Sequence, residues 1–583
     1  MHVPPPPALP PDLLKLLQDG YQAQMRGLLG DAARAYRKVL QKAPDSVDAL
    51  HLLAMVRGKQ GLYEDAIRLY RDALKRRPED AKLWYNLGLV CNAAGRPHEA
   101  GNAYAEALAR DPATHEGLGL WYATRRPLCD WSDHDRLMAA LRASADPACA
   151  PAQPFDTLML DDPALQLAVA RRRMAQVPPK APGRAEPLPP RQPGRLRIGY
   201  LSADFREHPV THLVVRLLER HDRARFEVLA LSTGIDDGSA YRARIRGAVD
   251  RFIDCAGADL DAMEARIRDA GIDILVDLMG HTGGNSSALF ARRAAPVQVS
   301  YLGYPGTTGA PEMDYVIADA AVLPPVDAAT FSEAAAYLPD IYQPCDPDLV
   351  LPPAPDRAAC GLPEEGVVFC AFNSPQKIDP ETFGLWMDLL REVPGSVLWL
   401  LAAPEAVEAN LLREAQARGV PPERLVFAPR VPVAEHLARI PLADLFLDTF
   451  PYTAHTTAND MLRMGVPVVT RTGATFASRV AASLLVLMDC PELVTADAPS
   501  YAALALALAR DPDRRAALRD RLARMRTRSA LFDIERYRIH LEAAYEAMMA
   551  RALSGEPPTP FAILRAPSSE GAAPGAASGT GAP

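Results

Sequence analysis

No apolar run in the 583-residue chain approaches the ~18 residues that a membrane-crossing helix needs, so no spanning segment is expected. Basic charge is also short of acid: 64 Lys and Arg against 72 Asp and Glu give a formal net charge of −8. That balance argues against a general nucleic-acid binder, whose footprint is a basic surface. The eight cysteines, at 91, 129, 149, 255, 345, 360, 370 and 490, form no CxxC pair. Neither a zinc site nor a disulfide framework is expected from them, only reduced thiols in a cytosol. The opening MHVPPPPALPPDL lacks the basic and apolar regions of a signal peptide, which adds to the expectation of a cytoplasmic protein.

A chain of this length exceeds what one core supports, so several domains are expected. The first is marked by a period of 34. Gly27, Gly61 and Gly95 keep it, as do Ala32, Ala66 and Ala100, Tyr36, Tyr70 and Tyr104, and Pro44, Pro78 and Pro112. Each unit reads as two helices with Gly at the turn, Ala and Tyr between the helices, and Pro at the end. Trp84, Leu87 and Gly88 complete in the third unit the pattern that resembles the tetratricopeptide repeat. Stacked units form a superhelix whose concave groove commonly takes an extended peptide, so a protein or peptide acceptor is the expected partner. The alternative is that the repeats only shape the protein or make a homodimer. A helical stretch from about 114 to 143 caps the array. The expected divisions are a Pro-rich N-terminus at 1–12, repeats and capping helices at 13–145, and a Pro-rich linker at 146–194. That linker carries one helical island, PALQLAVARRRMAQ.

From Arg195 strands and helices alternate, the pattern of parallel sheets covered on both faces. RLRIGYLSAD, FEVLALST, DILVDLMG and PVQVSYLGYPG are strands of one lobe at 195–345. VVFCAFN, SVLWLLA, RLVFA, LFLDTF and VPVV belong to a second at 346–550. The composition after 551 predicts a disordered tail to 583. Ligands of such sheets bind beyond the carboxyl ends of the strands, which selects the polar residues there. They are His208, His281 and Gly303 to Gly306 in the first lobe, and Asn373 to Lys377 and His455 to Asp460 in the second.

The segment from Asp444 to Leu485 carries the strongest chemical signal. Its loop delivers His455, Thr456 and Thr457 to a helix start, where unpaired N–H groups and a partial positive charge attract phosphate. Asp460, one turn on, suits a ribose hydroxyl, so a sugar nucleotide fits. The other reading is that Thr456 or Thr457 simply caps the helix. Lys377 is a compact cation on a reaching stem that suits a diphosphate, or else a solvated loop lysine. His208, in HPVTH, faces a ligand or is structural. His436 lies flat on a base or is an ordinary surface residue. Asp259-Leu260-Asp261 matches the metal-binding DxD spacing, but its helical surface setting makes the match fortuitous.

With these residues assembled, the chain resembles the O-linked N-acetylglucosamine transferases and their SPINDLY relatives, in a compact bacterial-style form. The matching segments are RIGYLSADFREHP, DILVDLMGHT, APVQVSYLGYPGTTGAPEMDY, AFNSPQKIDP, VPGSVLWLL, ADLFLDTFPYTAHTTANDMLRMGVPVVT and ASRVAAS. The resemblance implies an α-helical tetratricopeptide-repeat superhelix followed by an α/β GT-B fold of two Rossmann-like lobes. It also implies inverting, metal-independent transfer of a sugar from a nucleoside diphosphate to Ser or Thr of proteins, without a cofactor. By position, His208 and Lys377 would be catalytic, Lys377 neutralising the leaving diphosphate with His455, Thr456 and Thr457. Asp460 would take the ribose and His436 the base. Gly303 and Pro305 would line the sugar pocket, with His281, Asn373 and Ser374 among the substrate contacts. Val433 stands where animal enzymes have a lysine, and Ser374-Pro375 departs from the usual residues before Lys377. The donor expected is UDP-N-acetylglucosamine, on the motifs HTT, ASRVAAS and SVLWLL. GHT, APVQV and GYPGTTGAP point instead to a SPINDLY-like fucosyltransferase using GDP-fucose. A repeat scaffold with a degenerate transferase domain is the third reading.

Overall fold

The computed structural model describes residues 9–114, 116–177 and 193–565. They divide into two compact units, 1–157 with 403–414, and 158–402 with 415–583.

The first unit is built from the 34-residue period. Helices Pro11–Met25 and Leu29–Lys42, Val47–Lys59 and Tyr63–Leu74, and Ala81–Ala93 and Pro97–Arg110 form three antiparallel pairs. Gly27, Gly61 and Gly95 turn each pair at φ of +77°, +74° and +73°, a left-handed conformation that costs glycine least. Ala32, Ala66 and Ala100 are fully buried, and Tyr36, Tyr70 and Tyr104 are at most 1 % exposed. The small residue lets the helices approach and the tyrosine fills the gap. Helices Gly117–Arg125 and His134–Ala143 follow. Arg125 pins them to the last repeat, donating to the carbonyl of His98 (3.1 Å) and pairing with Asp130 (2.9 Å).

In the second unit, the first lobe runs through β1 (Leu196–Ser202), β2 (Phe226–Ser232), β3 (Arg251–Asp254), β4 (Ile274–Asp277), β5 (Val297–Ser300), β6 (Tyr315–Ala318) and β7 (Ala334–Tyr337). The second has β8 (Val368–Ala371), β9 (Val397–Leu401), β10 (Leu425–Ala428), β11 (Leu445–Leu447), β12 (Val468–Arg471) and β13 (Val494–Thr495). A last strand, β14 (Phe561–Ala562), returns to the first sheet. The sheets are ordered β14-β7-β6-β5-β4-β1-β2-β3 and β10-β9-β8-β11-β12-β13, and the β1–β4, β8–β11 and flanking pairs are parallel. Each sheet reverses strand order once, between β1 and β4 and between β8 and β11. Those switch points open the crevices where such sheets bind ligands.

Within the 146–194 linker the expected helical island is helix Pro163–Met174, preceded by a 3-10 turn at Pro154–Met159; residues 178–192 lie outside the described residues. Two other expected boundaries change. The tail expected from 551 includes the end of helix Ile534–Leu553 and β14. Its residues 566–583, like 1–8 of the expected Pro-rich N-terminus, lie outside the described residues. Finally, helix Ile534–Leu553, counted with the second lobe, packs on the first. The hydroxyls of Tyr537 and Tyr545 meet those of Tyr301 (2.6 Å) and Tyr200 (3.2 Å), and Glu542 bonds His221 Nδ1 at 2.9 Å. No local pattern announces such a crossing, because its partners lie hundreds of residues away. Among the described residues no helix is long and apolar enough to cross a membrane.

Candidate functional site

All the selected residues lie beyond carboxyl ends of strands, and two groups stand at the switch points. His208 follows β1 and His281 follows β4; Asn373 to Lys377 follow β8 and His455 to Asp460 follow β11. The lobes join near these ends. Arg479 pairs with Asp327 (2.7 Å), Ser483 donates to Asp319 (3.1 Å), and the rings of Phe476 and Tyr342 meet edge-on at 4.8 Å.

Lys377, on the 3-10 turn Pro375–Lys377, donates to the carbonyl of Thr453 (2.8 Å) and lies 3.7 Å from the centroid of the Tyr452 ring. Burial pushes its ammonium down to about 7, with Asp448 pulling the other way. The His455 ring flanks the same tyrosine at 5.1 Å. Its Nε2 donates to the carbonyl of Ala477 (3.3 Å), and burial, then Lys377, holds it well below the usual imidazole range. His455 is therefore a neutral donor.

Helix Thr456–Arg463 has His455 at its N-cap, with no side chain capping it. Thr456 and Thr457 are its first two residues, so neither is the capping residue that the simpler reading required. Its free N–H groups and two hydroxyls follow directly on His455, whose ring feels the charge of Lys377, an arrangement suited to a phosphate oxygen. Asp460, one turn in, is pushed up to about 7 by burial, against the pull of Arg463.

Behind this face lies a residue that sequence reasoning missed. Asp448, 2 % exposed, accepts from Asn373 Nδ2 (3.0 Å), from the N–H groups of Thr449 (2.8 Å) and Ala454 (2.7 Å), and from the Thr470 hydroxyl (2.7 Å). It joins the β8 and β11 loops from beneath. The signal was an acid ending the apolar strand LFLD, where a buried carboxylate needs several donors. Thr453 and Tyr452, which seat Lys377, were also missed. Asn373 is thus a buried brace, whereas Ser374 is exposed.

His436 sits on helix Val433–Arg439 beyond β10. Its Nδ1 accepts from Arg439 (2.9 Å), and its ring lies 5.2 Å from that of Phe372. Burial and then Arg439 push it down to about 4, so it too is neutral. Glu435 and Arg439 of this helix line, with Trp399 and Pro429, a cavity of about 330 Å³.

In the first lobe, His208 caps helix Pro209–Arg220. Its Nδ1 faces the N–H of Val210 at 3.3 Å and the Asp204 carboxylate at 3.5 Å. If Nδ1 accepts from Val210, Nε2 carries the proton and can only donate. If Nδ1–H points to Asp204, Nε2 can take a proton. His281 is 8 % exposed, donates through Nε2 to the carbonyl of Thr308 (2.7 Å) and abuts Tyr304 edge-on at 5.3 Å. It braces the loop that carries Gly303 and the buried Pro305. A Cβ at Gly303 would lie 1.9 Å from the carbonyl oxygen of Leu278, so only glycine lets this loop cross the end of β4. The DxD pair is spent locally: Asp259 caps helix Leu260–Ala270 and Asp261 pairs with Arg292.

The model of glycosyl transferase family 41 matches residues 178–352 and 349–541. The chain belongs to glycosyl transferase family 41. A tetratricopeptide-repeat model matches residues 51–114. Over 464 residues the chain is 34 % identical to the probable UDP-N-acetylglucosamine–peptide N-acetylglucosaminyltransferase SEC of Arabidopsis thaliana, covering 76 % of this chain and 48 % of that protein. It is 33 % identical over 378 residues to the SPINDLY protein of Petunia hybrida, named as a probable enzyme of the same activity, covering 63 % and 40 %. The chain thus spans about half or less of the length of these curated relatives. A solved structure of a mutant O-GlcNAc transferase of Thermobaculum terrenum is similar along nearly the whole chain, with a TM-score of 0.67, 33 % identity, and coverage of 94 % of this chain and 99 % of that one.

Proposed function

We propose that this family 41 chain is an inverting, metal-independent protein O-glycosyltransferase that moves N-acetylglucosamine from UDP-N-acetylglucosamine to Ser or Thr of a protein. The observation that carries this reading is the Lys377 ammonium, seated on Thr453 and Tyr452 beside the uncapped start of helix Thr456–Arg463. A diphosphate there would meet a cation, free N–H groups and two hydroxyls. As the glycosidic bond breaks, negative charge builds on the phosphate, and donors fixed in advance stabilise it most. The ribose falls to Asp460 and the base to the neutral His436 face. His208 stands with the donor sugar and the acceptor hydroxyl, as base if Asp204 holds Nδ1–H and as orienting donor if Val210 does. The repeat groove is the place for the acceptor polypeptide.

The choice of uridine donor rests on the motifs HTT, ASRVAAS and SVLWLL and on the names of the relatives. The test is calorimetric titration with UDP-N-acetylglucosamine and GDP-fucose separately, followed by mass spectrometry of co-expressed proteins. Binding of the uridine donor and a N-acetylhexosamine mass on Ser or Thr are expected. Binding of GDP-fucose alone would move the reading to fucosyl transfer, and binding of neither would reject it.

A further inference from the structure

Asp161 lies just before helix Pro163–Met174, 313 residues in sequence from the backbone it holds. Its Oδ1 accepts from the N–H groups of Ala474 (2.9 Å) and Thr475 (3.0 Å) and from the Ser478 hydroxyl (2.9 Å); Oδ2 also faces Ala474 N–H at 2.9 Å. Thr475, Ala477 and Ser478 are at most 1 % exposed. Buried N–H groups need an acceptor, and here one carboxylate from a distant segment supplies it. Gly473 leaves room for that carboxylate, since a Cβ there would stand 2.3 Å from its oxygen.

What this turn holds gives the contact its meaning. The Ala477 carbonyl accepts from the N–H (3.2 Å) and hydroxyl (2.7 Å) of Thr453 and from the His455 ring (3.3 Å). The carbonyl of Thr453 in turn seats Lys377. On its other side the turn is tied to the first lobe by Arg479, which donates to the Gly473 carbonyl (2.8 Å) and pairs with Asp327 (2.7 Å). We propose that Asp161 is a positioning residue of the nucleotide site: by fixing the turn 473–478 it sets the Ala477 carbonyl, and through it Thr453, His455 and Lys377. The assignment rests on the donor-site reading above. It makes the segment that leads into the catalytic unit a working part of the diphosphate clamp.

The test is calorimetric titration of the full chain with UDP and with GDP, for wild type, Asp161→Ala, Asp161→Asn and Gly473→Ala, with melting temperatures alongside. Asp161→Ala should weaken binding of whichever nucleotide the wild type takes by about tenfold or more, the usual effect of losing a hydrogen-bonded charge. Asp161→Asn keeps an oxygen for Ala474 and Thr475 and should stay within about threefold of wild type. Gly473→Ala displaces the carboxylate without removing it and should match Asp161→Ala, so it decides the matter if that variant fails to fold. A lower melting temperature with unchanged nucleotide affinity in the folded fraction would make Asp161 a purely structural tie and overturn the assignment. A wild type that binds neither nucleotide would instead reject the donor-site reading, and this proposal with it.

Discussion

On the donor-site reading proposed above, Lys377 and Asp460 would serve one ligand with opposite needs. To neutralise a diphosphate Lys377 must be protonated, yet burial has pushed it down to about 7. To accept from ribose hydroxyls Asp460 must be ionised, yet burial has pushed it up to about 7. Above neutrality donor binding must bring a proton to the lysine; below it, binding must expel one from the aspartate. Donor affinity should therefore peak near pH 7 and fall by up to about tenfold per pH unit on either side, measurable by calorimetry across pH. Asp460→Asn should abolish the acidic limb and leave the basic one. Lys377→Ala should lower kcat by about a hundred- to a thousand-fold while the circular dichroism spectrum and melting temperature stay close to wild type; turnover near the wild-type rate would remove Lys377 from the reaction.

At the scale of elements, the donor-site reading gives the positioning to the short helix Thr456–Arg463 and the loop after β5. Gly303→Ala would drive a Cβ into the backbone of Leu278, where no side chain can yield. It should cost about 1–3 kcal/mol in chemical denaturation and raise the KM for donor. The repeats were legible because each helix pair repeats the same solution at a fixed spacing. The parallel strands were legible because burial on both faces makes them continuous apolar runs such as VFCA and LFL. The site loops were legible for a related reason: polar residues just after such runs stand at carboxyl ends by geometry alone. What stayed hidden was long-range pairing. Nothing around Asp161 or Asp448 shows which backbone each will hold, and the spacing of HPVTH gave no sign that His208 divides Nδ1 between Val210 and Asp204. Asn373 and His281 were selected as ligand contacts, and the structure shows their donors engaged by protein.

Across the second unit, helix Ile534–Leu553 ties the far end of the chain back to the first lobe. Glu542 and His221 are both fully buried. Against the push of burial, hydrogen bonds from the His221 ring and the Asp222 N–H, and then the charge of Arg538, hold the carboxyl of Glu542 below the usual range, and burial keeps His221 neutral. Glu542→Ala leaves His221 and the N–H of Asp222 without their acceptor and Arg538 with Glu535 alone, and should cost about 1–3 kcal/mol, as when buried donors lose their partner, read as a lower denaturation midpoint. Because His221 must charge on unfolding in acid, its contribution begins to fall below pH 6.5 and is lost as pH falls through its lower folded value; that of Glu542 begins to fall below pH 4.5 and is lost through its own lower folded value. Acid should thus lower stability from below pH 6.5 and more steeply below pH 4.5 in the wild type, and in the variant the steeper part should shrink.

The same crossing orders events on the ribosome. The first lobe's opening strands emerge early, but the helix Ile534–Leu553 and the strand β14 that complete its surface are made hundreds of residues later, on the order of tens of seconds at usual synthesis rates. For that interval Tyr200, His221 and Tyr301 lack their final cover, and β7 presents an unpaired edge. The nascent lobe must therefore wait, half-finished, until that helix and strand have been made.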